Sequence, residues 1–381
     1  MVNRVVALIC VSAIVPGVSV AQTEDHLQRA RRILSETPLI DGHNDLPWAI
    51  RLFESAPRSV RDYDITGNAI GHTDLDRLLD GQVGAQFWSV YIPSDYADSG
   101  FARVQLEQID IARQLIRDYS GHLEMARGAS DIERIFGQGR IASMLGVEGG
   151  HAVENSLGVL RTYYDLGVRY MTLTHGGNID WADSATDEAN HGGLTAFGEE
   201  VVREMNRLGM LVDLSHVAPS TMSDALNVAE SPVIFSHSSA RALRDHPRNV
   251  PDSILQRLPD NGGVVMVTFV PSFLTDNETA TIADVANHIE HVRRVAGVDH
   301  VGIGSDFDGI SSTPAGLEDV SKFPDLFAEL SRRGWSDEEL RKVAGENMLR
   351  VIKTAERTAR LLQRERPPST KTIEQMDRSS S

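Results

Sequence analysis

Eight apolar runs of strand length recur along the chain with amphipathic stretches between them, and no other feature narrows the fold as far. The runs are Pro38–Asp45, Ala85–Ile92, Ile141–Glu148, Val168–His175, Leu211–His216, Pro232–His237, Gly263–Val270 and Val301–Asp306. Arg103–Tyr119, Leu157–Leu166, Phe197–Leu208, Pro219–Val228 and Thr281–Val295 carry helical periodicity between them. Glu24–Leu34 precedes the first run, and Pro324–Arg333 and Asp337–Ala355 follow the last. Continuous apolar strands alternating with helices build a parallel sheet covered on both faces. Eight such units predict an α/β fold, a single (β/α)8 TIM-type barrel with extra N- and C-terminal helices over residues 22–365. An open doubly wound sheet is the competing arrangement.

In such a barrel the C-terminal strand ends meet at one mouth, where active sites lie. The runs deliver polar residues to that end: His43 and Asp45, Glu148, His175, His216, His237, and Asp306 with Asp308. In an extended strand, residues i and i+2 share a face roughly 6.6 Å apart, so His43 and Asp45 could reach one cation. A lone His-x-Asp pair is ordinary, and a single buried histidine is more often a satisfied core residue. Several imidazoles and carboxylates at equivalent positions are another matter. Burying them together is costly unless a positive charge compensates, and a metal centre would supply it. Imidazole and carboxylate without thiolate suit Zn2+, with Mn2+, Co2+ or Fe2+ as alternatives. Five protein ligands exceed the needs of one catalytic zinc and suit two ions that share a carboxylate. Such a pair activates a bridging water and clamps the attacked oxygen, so the reaction class is metal-assisted hydrolysis.

The formal net charge of −17 argues against nucleic acid or an anionic membrane as a partner. Arg4, the apolar run Val5–Val15 and the small residues Ser19 and Ala21 read as a signal peptide over residues 1–21. Pro16 and Gly17 break the run too early for a comfortable membrane span. Cleavage would remove Arg4, taking the charge from −17 to −18, and Cys10, the one cysteine. The mature chain would then hold no disulfide and no cysteine-based metal site. A periplasmic or secreted location without a membrane anchor is expected. Residues 366–381 are polar, lack an apolar period and read as a disordered tail.

Other features carry less. The stretch Gly302-Ile-Gly304-Ser-Asp-Phe-Asp-Gly309 matches neither a dinucleotide loop nor a calcium loop, and its glycines are expected to allow close packing. Gly262-Gly263 reads as a turn. Packing is expected for Trp88 and a place at the mouth for Trp181, while His72, His151 and His191 receive no role.

Several strings together resemble the membrane (renal) dipeptidase family of the metallo-dependent amidohydrolase superfamily, as a bacterial-type member. They are Asp41-Gly-His43-Asn-Asp45, Gln86-Phe-Trp-Ser-Val-Tyr91, Gly146-Val-Glu148-Gly-Gly-His151, Leu173-Thr-His175, Trp181-Ala-Asp183, Asp213-Leu-Ser-His216, Phe235-Ser-His237-Ser-Ser-Ala240, Arg248-Asn-Val-Pro251 and Gly304-Ser-Asp306-Phe-Asp308-Gly309. Glu318-Asp-Val-Ser-Lys322 and Gly345-Glu-Asn-Met-Leu-Arg350 follow, so the likeness covers roughly residues 26–355. The resemblance implies a zinc dipeptidase with two Zn2+ per subunit, one on His43 and Asp45, the other on His216 and His237, bridged by Glu148 and a water or hydroxide. His175 would donate to the substrate oxygen as it becomes an oxyanion. Arg248 would grip the terminal carboxylate, which suits a planar two-donor fork. Asp306 would handle the proton passed to the leaving amine, or hold the free amino group. The implied substrate is a small dipeptide with free termini, with tolerance of a D-residue at the C-terminal position. A homodimer is left open.

The vertebrate members use disulfides and a lipid anchor, and this sequence offers neither. Thr268–Phe273 and the loop Asn178–Gly193 follow no pattern that aligns with the family, so side-chain specificity stays open. Another superfamily hydrolase, a lactonase or a β-lactam-cleaving enzyme, is the alternative. Lactonase or phosphotriesterase-like relatives usually open with His-x-His and bridge their metals with a modified lysine after strand 4, and here Asp45 and His175 occupy those places. A non-catalytic binding protein on a degraded barrel would not need the complete ligand set.

Overall fold

Nine parallel strands form one sheet whose ends meet. The computed structural model describes residues 25–67 and 70–377, so the expected signal peptide lies outside the described residues. The strands are β1 (Leu39–Asn44), β2 (Val83–Ser89), β3 (Leu123–Met125), β4 (Ile141–Glu148), β5 (Val168–Thr172), β6 (Leu211–Asp213), β7 (Ile234–Phe235), β8 (Val264–Val267) and β9 (Val301–Ile303). They are hydrogen-bonded in the order β2-β1-β9-β8-β7-β6-β5-β4-β3, and a β2–β4 pairing closes the barrel. Eight of them are the expected barrel strands, and the fold is the (β/α)8 barrel. The extra strand β3 pairs with Ile141–Ser143 at the start of β4, on the edge that β5 takes over from Leu145 onward. Three residues with a glutamate at the centre are too short to register as an apolar run.

Alternation along the strands divides the core in two. Ile40, Phe87, Met144, Tyr170, Ile234 and Met266 pack together inside the barrel, joined from below by Ile132 and Met348 of flanking helices. Leu39, Trp88, Leu145, Met171, Val212 and Val265 face outward into the helical layer. Gly146 is what lets Tyr170 reach across the interior: a Cβ there would lie 2.0 Å from the ring.

Helices form where periodicity and caps agree. Leu157–Leu166 is capped by the Ser156 hydroxyl at its start and ended by Gly167 in the left-handed region. Pro219–Val228 begins on its proline. The single helix expected over Asp337–Ala355 is instead three segments, with a π turn at Lys342–Glu346 between Asp337–Arg341 and Asn347–Glu365. The wide turn holds Gly345 against the Pro38 carbonyl, where a Cβ would come within 2.1 Å.

The stretch from Arg366 is not a disordered tail up to Asp377. Thr372 caps a short helix, Ile373–Met376, whose Ile373 is buried. The Asp377 carboxylate accepts from the Thr195 hydroxyl and the Phe197 N–H, and the Ser369 carbonyl accepts from Arg161. Polar contacts hold this segment, so apolar periodicity could not reveal it. No helix among the described residues is long and apolar enough to cross a membrane.

Candidate metal centre

At the C-terminal ends of the strands lies a cavity of about 320 Å3 whose walls include Asp45, Glu148, His175, His216, His237, Arg248 and Asp306. His43 lies beneath it, fully buried. Eight of the nine polar residues expected there, these seven and His43, therefore converge. Asp308 does not join them: it lines a neighbouring cavity with His72, whose N–H donates to its Oδ1. Trp181 is fully buried and packs against Gly150, so it does not form the mouth.

Glu148, the last residue of β4, stands at the middle. Its Oε2 is 3.4 Å from His43 Nε2, and its Oε1 is 3.0 Å from His216 Nε2 and 3.4 Å from His237 Nε2. His43 Nε2 is also 3.1 Å from Asp45 Oδ2, and the His216 and His237 Nε2 atoms are 2.9 Å apart. His43 lies in β1 as expected, but the other three histidines fall beyond their strands. β5 stops at Thr172 and β6 at Asp213, and the chain carries His175 and His216 inward from the turns that follow. His216 and Asp306 both have φ of 68°, a left-handed conformation rare for residues with a side chain. Such strain gathers at functional sites.

Asp45 precedes the helix Leu46–Leu52 where an aspartate would ordinarily cap it. It makes no side-chain cap: Pro47 has no N–H to give, and the Trp48 N–H goes to the Asp45 backbone carbonyl. Asp45 Oδ1 is left buried without a partner, as are His43 Nε2 and Arg248 Nη1. Orphaned buried polar atoms are rare. Two nitrogens bound to one tetrahedral ion at about 2.0–2.1 Å lie about 3.3 Å apart, close to the separations seen here. Three overlapping groups have ligand atoms within 4.8 Å of one another: His43, Glu148 and His237; Glu148, His175 and His216; His43, Asp45 and Asp306. The donor set fits divalent cations.

Electrostatics agree on the His216 and His237 side, whereas at His43 burial is outweighed by the pull of Tyr170, Glu148 and Asp45, which raises the imidazole well above its ordinary range. Burial, with Arg248 adding repulsion, pushes His216 well below the ordinary imidazole range; burial and His43 do the same to His237. Both are thus neutral, as ligation requires. Burial would raise the Glu148 carboxyl, but His43 and hydrogen bonds from His216 and His237 hold it well below its usual range. Burial raises Asp306 well above the carboxylate range, and Asp45 and Glu148 reinforce the rise against His43 and Arg248. Burial lowers Arg248 to about 10.

His175 stacks on His216 with centroids 4.3 Å apart and packs on Tyr91 at 4.7 Å. Arg248 is 4% exposed, and its guanidinium lies 5.3 Å over the Phe273 ring. Trp48, Tyr91 and Phe273 also wall the cavity. Sequence reading gave them no role. Tyr91 lay inside the apolar run Ala85–Ile92 and closed the string Gln86–Tyr91, so it could have been flagged, whereas Trp48 and Phe273 come from short helices without a pattern.

A closed (β/α)8 barrel with imidazoles and carboxylates gathered at its C-terminal mouth defines a metal-dependent hydrolase of the amidohydrolase type. Residues 27–366 match the family model for membrane dipeptidase, peptidase family M19, and the chain belongs to that family of metallopeptidases. It is 47% identical over 347 residues to Dipeptidase verJ of Clonostachys rogersoniana, covering 88% of this chain and 89% of that one. An amidohydrolase from Pseudomonas aeruginosa superposes with a TM-score of 0.73 at 28% identity, covering 86% of this chain and 98% of its own. A Rhodobacter sphaeroides metallopeptidase, liganded with a phosphinate mimic of the dipeptide L-Ala-D-Ala, gives a TM-score of 0.76 at 25% identity, covering 84% and 99%.

Proposed function

We propose that this metallo-dipeptidase holds two zinc ions and hydrolyses dipeptides with free termini, accepting a D-residue at the C-terminal position. The observation that carries it is the divided carboxylate of Glu148, with one oxygen toward His43 and the other toward His216 and His237. One ion would be held by His43, Asp45 and Glu148, the other by His216, His237 and Glu148. Bound there, the cations supply Lewis acidity to the scissile carbonyl and lower the pKa of an attacking water.

The chain's own residues do the rest. Arg248 offers an unpartnered, buried Nη1 to the substrate's C-terminal carboxylate, a charge-assisted bond. His175, 3.7 Å from Glu148 Oε1, donates to the substrate oxygen as negative charge builds on it. Asp306, whose burial favours the protonated carboxyl, passes a proton to the leaving amine. Trp48, Tyr91 and Phe273 exclude water from the cavity. Its volume of about 320 Å3 is near the low end for small-molecule sites, which suits a substrate of dipeptide size. The phosphinate dipeptide mimic bound by the Rhodobacter sphaeroides relative supports the tolerance of a D-residue. The segment over residues 1–21 supports export to the periplasm or medium, which N-terminal sequencing of the exported protein would test.

Hydrolysis of L-L and L-D dipeptides, tripeptides and a lactone, with zinc and with chelator, tests the activity. Zinc-dependent cleavage of dipeptides alone is expected. Strong tripeptide cleavage would contradict the carboxylate grip of Arg248.

A further inference from the structure

The two-cation reading leaves Asp213 and Ser236 without a task, and their geometry gives them one. We propose that Asp213 is a positioning residue that fixes the tautomer of His237 through the Ser236 hydroxyl, keeping His237 Nε2 free to bind a cation; this rests on the two-cation reading.

Asp213 ends β6 and is fully buried. Its Oδ1 accepts from the N–H groups of Ser215 at 3.1 Å and Ser236 at 2.8 Å. Its Oδ2 accepts from the hydroxyls of Thr172 at 2.5 Å and Ser236 at 2.6 Å. An ionised carboxylate only accepts, so the single Ser236 hydroxyl proton is committed to Oδ2. That short, charge-assisted bond outweighs a neutral one. Ser236 Oγ also stands 2.8 Å from His237 Nδ1. Having no second proton, it can only accept there, so Nδ1 carries the hydrogen. A neutral imidazole has one such hydrogen, and Nε2 therefore presents its lone pair to the cavity, 3.4 Å from Glu148 Oε1.

Asp213→Asn keeps the shape and reverses the chain of donors. Ser215 and Ser236 still need an acceptor for their N–H groups, so the amide oxygen stays with them. The amide nitrogen then faces the two hydroxyls and donates to them. Ser236 turns its proton toward Nδ1, the hydrogen moves to Nε2, and the lone pair leaves the cavity. Outer hydrogen-bond partners of metal-binding histidines act in this way, typically worth about 10–100-fold in affinity.

The test is zinc stoichiometry and affinity of the full chain by chelator competition, read beside the melting temperature of the chelated protein. Wild type is expected to bind two ions. Asp213→Asn is expected to bind one normally and the other about 10–100-fold more weakly, with the metal-free melting temperature unchanged. Ser236→Ala should weaken the same site, and the double variant should be no weaker than the worse single one, because both act through one bond. If Asp213→Asn does not fold, Ser236→Ala alone decides. Unchanged affinity, additive losses, or loss of both ions together with a lower metal-free melting temperature would overturn the proposal. A wild-type chain that binds no cation would instead remove the two-cation reading and the relay with it.

Discussion

On the β1 side of the mouth, Asp41 accepts from the Ser305 N–H and hydroxyl; on the β6 side, Asp213 accepts the same two bonds from Ser236. In both places the serine precedes a residue that faces the cavity, Asp306 or His237. The halves diverge at the next contact. Ser236 Oγ meets the ring nitrogen of His237, whereas Ser305 Oγ meets the backbone carbonyl of His43 at 3.2 Å. The His43 ring is oriented by the Tyr170 hydroxyl instead, 2.9 Å from Nδ1. One buried carboxylate thus controls a proton, and the other controls where two strand ends lie. The same clamp serves electronic control on one side and mechanical control on the other.

Removing the group that joins the halves should have the largest effect. Glu148→Gln is expected to bring dipeptide turnover to background in a steady-state assay, since an amide cannot present two anionic oxygens. Near-normal activity would break the link between the sides. Arg248→Lys comes next, with kcat/KM for dipeptides lower by about 10–100-fold through loss of the two-donor fork, and metal content unchanged.

Asp41→Asn and Asp213→Asn sharpen the contrast directly. Asp41 is fully buried and also holds Gln86 Nε2, so its amide variant should lower unfolding free energy by about 1–3 kcal/mol in denaturant titrations. Asp213→Asn should act on zinc affinity rather than on stability. Equal profiles for the two variants would erase the distinction. The smallest effect is expected outside both halves. Asp377→Ala frees the C-terminal segment from Thr195 and Phe197 and should cost about 1 kcal/mol of stability, with kinetics unchanged.

Sequence alone reached the β1 side more surely than the β6 side, because His43 and Asp45 lie two residues apart. His216 and His237 are 2.9 Å apart in space but were legible only through strand counting. Helices with clear ends, such as Leu157–Leu166 and Pro219–Val228, were readable to the residue from a serine cap or a leading proline. Strand ends were not, because left-handed turns such as that at His216 carry ligand-type residues beyond the ladder without an apolar signature. β3 was too short to register, and the segment after Arg366 is held by polar groups that mimic a solvated tail. Trp181 looked available for the mouth, but its place was set by contacts with Gly150 and Gly198 that lie far from it in sequence. The tautomer relay needed coordinates, since Asp213 and Ser236 are neighbours only through strand pairing.

Anomalous difference maps from zinc-loaded crystals, measured at the zinc edge, test the divided role of Glu148 most directly. Two peaks are expected on either side of its carboxylate, one against His43 and Asp45 and one against His216 and His237. A single peak, or peaks that leave Glu148 untouched, would contradict it.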